Sequence, residues 1–332
     1  MDLKTCKEHG FNLDVYKVVG TREEGVMALD AALQTTPNTA IPAEMLTYFD
    51  NRAIEVLTAK RAATEIFNEV KAGTRADAMR KFRTVENTGF TQPYSDYSDN
   101  GKSDVNYNWP LRENYLFETV IKYGDQEEAE SSRARINLVA DLQNSAAHNI
   151  AIDTNRFYFN GVDGLENYGI LNQPNLPAAI VAKQGADSSS LWSRKTGQEI
   201  YEDIVDMMSD MADRSEGLVD QNTKYKLCVG PSSNAQLNKL NALGTESVLA
   251  LIKRNFPNLE VVVAPEYDDT TKKIQLIALD VEGTPTGECA FSEKLIAGRV
   301  VPYLSHFAQK FMAGVYGAVI YRPVFVSTMT GI

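Results

Sequence analysis

Residues 82–123 read FRTVENTGFTQPYSDYSDNGKSDVNYNWPLRENYLFETVIKY. Nine aromatics fall in this stretch (Phe82, Phe90, Tyr94, Tyr97, Tyr107, Trp109, Tyr115, Phe117 and Tyr123), well above the chain average of 9%. Between them lie Asp, Asn, Ser, Thr and Gly, with a turn signal at Asp99-Asn100-Gly101. The stretch separates two helical patterns and is too long for an ordinary connection. The runs on either side of the turn, Phe82–Tyr97 and Val105–Tyr123, predict the two arms of a long hairpin. A two-stranded ribbon is marginal alone in water. One with so many aromatics and so few aliphatics is expected to lie on another surface, a neighbouring subunit first of all. The stretch points to assembly rather than catalysis.

Downstream, Asp125 and Glu128 match a capping box. Leu138, Leu142, Ala146 and Ile150 then recur every four residues, widened by Ile136, Val139 and Ala147, with no Gly or Pro to about Thr154. Roughly thirty residues at ~1.5 Å each predict a rod of about 45 Å, a molecular spine or a long core helix. Upstream, Thr21 and Glu24 form another box, and a helix is expected from Arg22 to about Gln34, ended by Thr35-Thr36-Pro37. Residues 1–20 are polar and read as an arm docked on the rest or on a neighbour. From Pro42 to about Lys71, Met45, Leu46, Phe49, Ile54, Leu57 and Ile66 sit at helical spacing.

Beyond the spine, Thr196 and Glu199 open a third capping box, and Ile200, Ile204, Met207 and Met211 supply a helix face. A strand (Tyr225–Val229), a helix from about Ser232 to Asn241, and a short helix around Glu246–Arg254 are expected next. Two strands, Leu259–Ala264 and Ile274–Leu279, complete a mixed helix-and-strand layer. Residues 183–195, with Ser188-Ser189-Ser190, read as a surface loop.

Composition bounds the function. A chain of 332 residues with 43% hydrophobic content can bury a substantial core and hold two domains. No run of about eighteen apolar residues predicts a membrane span, and Met1-Asp2-Leu3-Lys4-Thr5 lacks the apolar core of a signal peptide. Cys6, Cys228 and Cys289 are scattered, as in a reduced setting without a disulfide framework. A net charge of −11 argues against general nucleic-acid binding, which needs clustered Lys and Arg.

The usual chemical motifs are missing from the sequence: no phosphate-binding Gly-rich loop, no His-Glu-x-x-His, no Gly-x-Ser-x-Gly elbow. His9, His148 and His306 fall in the arm, the spine and the C-terminal region; His148 reads as a packing or surface residue. Cys228, in an apolar strand, reads as a small core hydrophobe. The nearest approach to a metal site, Asp96 to Asp104, has three positions of a calcium loop, but Tyr107 stands where the bidentate Glu belongs. A hairpin tip explains the same residues. Gly314 and Gly317 read as small residues in a packed strand, and the Met face at 207, 208 and 211 as core. No catalytic residue, cofactor or metal ligand is assigned.

The spine pattern runs into Phe157-Tyr158-Phe159-Asn160-Gly161, then Asn167-Tyr168-Gly169-Ile170-Leu171-Asn172-Gln173-Pro174. Near the C-terminus stands Gln309-Lys310-Phe311-Met312-Ala313-Gly314-Val315-Tyr316-Gly317-Ala318-Val319, continued by Tyr321-Arg322-Pro323. Together with the polar arm, aromatic hairpin and long helix, this order resembles the major capsid proteins of tailed bacteriophages with the Hong Kong 97-like fold, over nearly the whole chain from about residue 42. The resemblance implies an α+β fold: an N-terminal arm (1–41), the N-terminal helix of a peripheral domain (42–81), an E-loop hairpin (82–124), a spine helix (125–160), a mainly axial domain (161–308), and C-terminal strands of the peripheral domain (309–332).

It also implies pentamers and hexamers building an icosahedral shell around double-stranded DNA, without sequence-specific binding. Scaffolding, portal and decoration proteins are further partners the resemblance brings, with assembly in the bacterial host cytoplasm and a final place in the virion. The E-loop contacts are expected to fall on Phe90, Tyr94, Tyr97, Lys102, Tyr107 and Trp109. Some relatives carry a long cleaved scaffolding segment with no counterpart here, so a mature form or scaffolding in trans is expected. Others join an E-loop Lys to an Asn on a neighbour. Lys102 stands near the hairpin tip, but Asn258 is the last Asn in the chain, so the C-terminal strands offer no acceptor and non-covalent contacts are expected. The rival readings are an encapsulin-like compartment shell and, from another class, a soluble enzyme with an unrecognised site.

Overall fold

The computed structural model describes residues 60–97, 101–241, 244–269 and 272–332. The arm (1–41) with its Thr21–Glu24 box, most of the helix expected from Pro42, Cys6, His9, and Ser98 to Asn100 of the hairpin tip lie outside the described residues. Element numbering therefore starts at α1 (Ala63–Ile66), followed by β1 (Glu69–Lys71). Residues 69–71, expected to be helical, are a strand because β1 pairs in parallel with β13 (Gly287–Ala297). A backbone partner across the sheet outweighs local periodicity there.

Two sheets carry the molecule. The first is centred on β15 (His306–Ile320), which pairs with β13 along one edge and with β6 (Tyr115–Gly124) along the other. β14 (Val301–Pro302) also joins β15. The second runs in the order β7 (Ile180–Val181), β16 (Val326–Thr330), β10 (Lys273–Ala278), β8 (Tyr225–Val229), β9 (Leu259–Val263). Two expectations are corrected here. Tyr115–Tyr123, assigned to the hairpin's second arm, is instead a body strand, held by ten residues of register with β15. Residues 326–330, grouped with the rest of 309–332 as C-terminal strands of one domain, sit apart from β15 in the second sheet, against β10.

The spine is interrupted. Helix α2 (Asp125–Arg133) ends, and α3 (Leu138–Asn160) begins after four intervening residues. Arg135 adopts φ +60°, and the amides of Arg135 and Ile136 donate to the carbonyls of Ser132 and Ser131. That is the Schellman pattern of a helix end. Asn137 then caps the new helix, its Oδ1 accepting from the Ala140 amide. No residue of α2 is buried, so no packing opposes the break, and Ile136, counted in the stripe, is exposed. At the α2 N-terminus the expected box is half present and one residue earlier. Gly124 has no side chain to offer, and Glu127 reaches back to the Gly124 amide. On α3 the apolar stripe does pack against the first sheet: Ala146 and Ile150 are buried with Ile121, Phe311 and Ala313, and Leu142 lies half-buried beside them.

The end of α3 shows why the sequence around it is constrained. The carbonyls of Phe157, Tyr158, Phe159 and Asn160 have no partner inside the helix. They accept, in turn, from the Gly161, Ile170 and Leu171 amides and the Asn172 side chain. Gly161 sits at φ +65°, and a Cβ on Gly169 would lie 2.2 Å from the Phe159 carbonyl oxygen. Only glycine allows both approaches. The same turn docks on β15, where Gly317 at φ +75° forms a bulge against β13. A Cβ there would meet the Tyr168 carbonyl oxygen at 2.3 Å, the oxygen to which the Ala318 amide donates.

Helix α4 (Gly197–Arg214) opens with the expected box. The Thr196 amide donates to Glu199 Oε2, and Thr196 Oγ1 accepts from the Glu199 amide. Its Ile200, Ile204, Met207, Met208 and Met211 face forms the core of the second sheet with α6 (Val248–Asn255), as the Met pattern indicated. Between α4 and α6, the helix expected to reach Asn241 ends sooner, as α5 (Pro231–Gln236). Cys228 and Cys289 are fully buried, and burial pushes the Cys228 thiol up to about 12. Both should therefore resist iodoacetamide at pH 8 in the native protein and react on unfolding, read by residue-resolved mass spectrometry. For the spine, Ile150→Asp is expected to cost several kcal/mol in denaturant unfolding. Leu142→Asp should cost less because its site is only half-buried, and equal losses would contradict this placement of the stripe.

Candidate assembly surface

The hairpin itself is the ribbon of β3 (Thr84–Phe90) and β4 (Lys102–Asn108), in register from Thr84↔Asn108 to Phe90↔Lys102. Cross-strand partners share a face and alternate residues change face. Val85 opposite Tyr107 and Asn87 opposite Val105 therefore form one face. Glu86 opposite Asn106 and Thr88 opposite Asp104 form the other. Every β4 residue is exposed, as is every β3 residue except the half-buried Thr88. A ribbon with an apolar face and no packing beneath it is unstable alone, so its chemistry is that of a surface to be covered. Gly89 permits the close pairing, since a Cβ there would approach the Lys102 carbonyl oxygen to 2.5 Å.

The six expected contact residues are not all on one face. Tyr107 belongs to the apolar face, with the Arg83 guanidinium 5.5 Å from its ring centre. Phe90 and Lys102 pair on the opposite face, and Lys102 forms no ion pair among the described residues. Tyr94 and Tyr97, beyond the ribbon, are 90% and 100% exposed, the Tyr94 hydroxyl donating to Asp96. Trp109 stands at the root, also exposed.

The root is where the ribbon gains its direction. β2 (Met79–Lys81) pairs with β5 (Leu111–Glu113). Arg80 bonds Glu288 on β13 at 2.6 Å and the Tyr321 hydroxyl at 3.3 Å, while Phe82 meets the Tyr321 ring edge-on at 5.3 Å. Burial works against the Arg80 charge, but the Glu288 bond outweighs it together with Tyr321, and the pKa rises. Burial, then Glu288, pushes the Tyr321 hydroxyl up to about 12. Arg112 is buried beside the Phe82 and Tyr168 rings, its pKa lowered by burial against the opposing pull of Tyr168 and Glu166. Phe82, Tyr168 and Tyr321 stand in stretches quoted from the sequence, but Arg80, Arg112 and Glu288 were not singled out. Arg80 and Glu288 are 208 positions apart, and no local pattern announces such a pair.

A body of two sheets, a spine closed by a glycine-dependent turn, and a projecting ribbon rooted on the first sheet together define a Hong Kong 97-like capsid fold. Comparison with solved structures agrees. The chain resembles the capsid of Myoviridae phage XM1 with TM-score 0.74 and 15% identity, covering 89% of this chain and 100% of that one. A native GTA particle capsid gives TM-score 0.62 at 11% identity, covering 86% and 94%. The mature capsid of bacteriophage PhiM1 gives 0.56 at 10%, covering 86% and 90%. No curated protein matches the chain. A family model described as Pa193 gp26 major capsid protein matches residues 32–331, and the chain belongs to that family. It is thus a structural phage capsid shell protein, a component of the virion, and the encapsulin-like alternative is not favoured.

Loss of the root should be measurable in the single subunit. Arg80→Met leaves Glu288 without its partner and should lower unfolding free energy by about 1–3 kcal/mol. Tyr321→Phe, which removes only the hydroxyl, should cost about 1 kcal/mol. Equal, negligible effects would show that the root does not hold the ribbon.

Proposed function

We propose that copies of this chain form pentamers and hexamers of an icosahedral shell around double-stranded DNA. In this reading the ribbon acts as an E-loop lying across an adjacent subunit. The observation that carries it is the Val85, Val105 and Tyr107 face, which is apolar and exposed, with the Arg83 guanidinium over the Tyr107 ring as its one ring contact among the described residues. Phe90, Tyr94, Tyr97, Lys102 and Trp109 extend the same contact along the neighbour. Residues 1–41 serve as an arm tying subunits together, and the peripheral and axial roles follow the two sheets, with the sheet memberships given above. Scaffolding, portal and decoration proteins are the further partners of such a shell, and the host cytoplasm is its place of assembly. The net charge of −11 suits a wall that must not grip its packed genome.

The test is microscopy and chromatography of the purified protein, with shells or capsomers expected. A well-behaved monomer across a wide concentration range would overturn the proposal. Replacing Val85, Val105 and Tyr107 together by Ser should leave subunit stability within about 1 kcal/mol, since all three are exposed, yet abolish assembly. Boiled, reduced shells should run as one band near 36.8 kDa; a ladder of linked subunits would show that non-covalent contacts are not the whole of the shell.

A further inference from the structure

A cavity of about 450 Å³ opens at the root of the ribbon, lined among others by Phe82, Trp109, Arg112, Tyr168, Gln173 and Tyr321. Two of these residues are polar, more than nine-tenths buried and incompletely paired. Arg112 is 6% exposed and Gln173 5%. The Arg112 Nη1 donates to the Leu111 carbonyl, but Nε donates to nothing, and Gln173 Oε1 accepts from nothing. Among the described residues no carboxylate forms an ion pair with Arg112. Glu166 also lines the cavity; its Oε2 accepts from the Tyr168 hydroxyl at 2.8 Å, and its charge acts on Arg112 without forming an ion pair with it.

A buried guanidinium without a hydrogen-bonded anion is costly, and its chemistry specifies what would relieve it. The Nε edge of an arginine is the fork that meets a carboxylate side-on through two parallel hydrogen bonds. Gln173 Oε1 requires a donor, which a backbone amide of the segment carrying the acid supplies. The two vacancies together fit an acidic residue presented with its main chain, better than a lone small anion, which offers no donor.

We propose that this cavity receives an Asp or Glu of a second copy of this chain, so that the charge of Arg112 is completed only on assembly. Two observations point to another copy. The chain is acidic, with 44 Asp and Glu against 33 Lys and Arg, so an exposed carboxylate is the group its neighbours most readily offer. The cavity is also continuous with the proposed contact surface, since Trp109 both lines it and stands exposed at the root of the ribbon. The inference rests on the shell assembly proposed above and adds to it a specific pairing site, whose energetic sign differs between the free and the assembled subunit.

That difference in sign gives the test. Arg112→Met keeps an apolar side chain of similar length and removes the buried charge. Subunits held below the assembly concentration should melt at the same temperature as wild type or higher. Assembly should require a subunit concentration raised by about tenfold or more. A variant that assembles like wild type, or whose free subunit loses stability in parallel with assembly, overturns the proposal, the second result marking a purely structural role. Arg112→Lys supplies a positional readout. In shells mixed from unlabelled and nitrogen-15-labelled subunits, carbodiimide should join the introduced amine to an Asp or Glu of the other label. Coupling only within one label overturns the proposal. So does wild-type stabilisation by inorganic phosphate or acetate that Arg112→Met abolishes while assembly is unchanged. Wild-type shells are prepared first, and their absence overturns the assembly reading together with this one.

Discussion

The rest of the structure depends on how the last turn of the spine is closed. Four carbonyls at the end of α3 point out of the helix, and each would be orphaned in a buried setting. The Gly161 amide takes the first, and a single returning turn, Tyr168 to Asn172, takes the other three with two amides and one side chain. Because the turn must approach the helix backbone closely, it needs Gly161 and Gly169. Because it then lies on β15, it needs a bulge at Gly317 to receive the Tyr168 carbonyl. Helix, turn and first sheet are thereby fixed as one unit.

The consequence spreads in both directions. The Asn167 side chain donates to the carbonyls of Glu113 and Val315, so the root of the ribbon and the bulged strand are held by the same amide. Beyond the turn, the Ile170 side chain is buried between the sheets with Cys228, Ile277 and Val326 of the second sheet and Cys289 and Val315 of the first. The Gln275 amide on β10 reaches the Ile170 carbonyl. A shell subunit has to transmit load between its contacts without its parts shearing. A shared, hydrogen-bonded junction does this better than apolar contact alone, because its bonds form in only one arrangement.

Much of the fold was legible because its local rules agree with its tertiary ones. The Thr196 box, the Met face of α4 and the strand Tyr225–Val229 all came out as read, since each is a short-range pattern that packing reinforces. The spine was legible as apolar periodicity but not as two helices. The break at Arg135 rests on a left-handed residue that only hydrogen bonding reveals, and α2 has no buried residue to keep it joined. The hairpin was legible as an aromatic, turn-centred stretch. Its length was overestimated because β6 carries the same residue types in the service of β15. Position in a sheet is a non-local fact, and residues 115–123 alternate equally well for either use. The root of the ribbon was legible only as scattered aromatics, Phe82, Trp109 and Tyr321, and its Arg80–Glu288 pair not at all, since these residues meet only after the first sheet has formed.

Exposure and charge together constrain how such a subunit can associate. A net charge of −11 makes each copy repel the next, so contacts between copies must be strong where they are local. An apolar ribbon face fits that need, because its burial is insensitive to the sign of the surrounding charge. A cation buried at the ribbon's root fits it for a complementary reason, since an acidic neighbour is then attracted at one point of an otherwise repulsive surface. The Arg80–Glu288 pair fixes the direction in which the ribbon leaves the body. The direction of its apolar face is therefore set by the first sheet, and through the closed turn by the end of the spine.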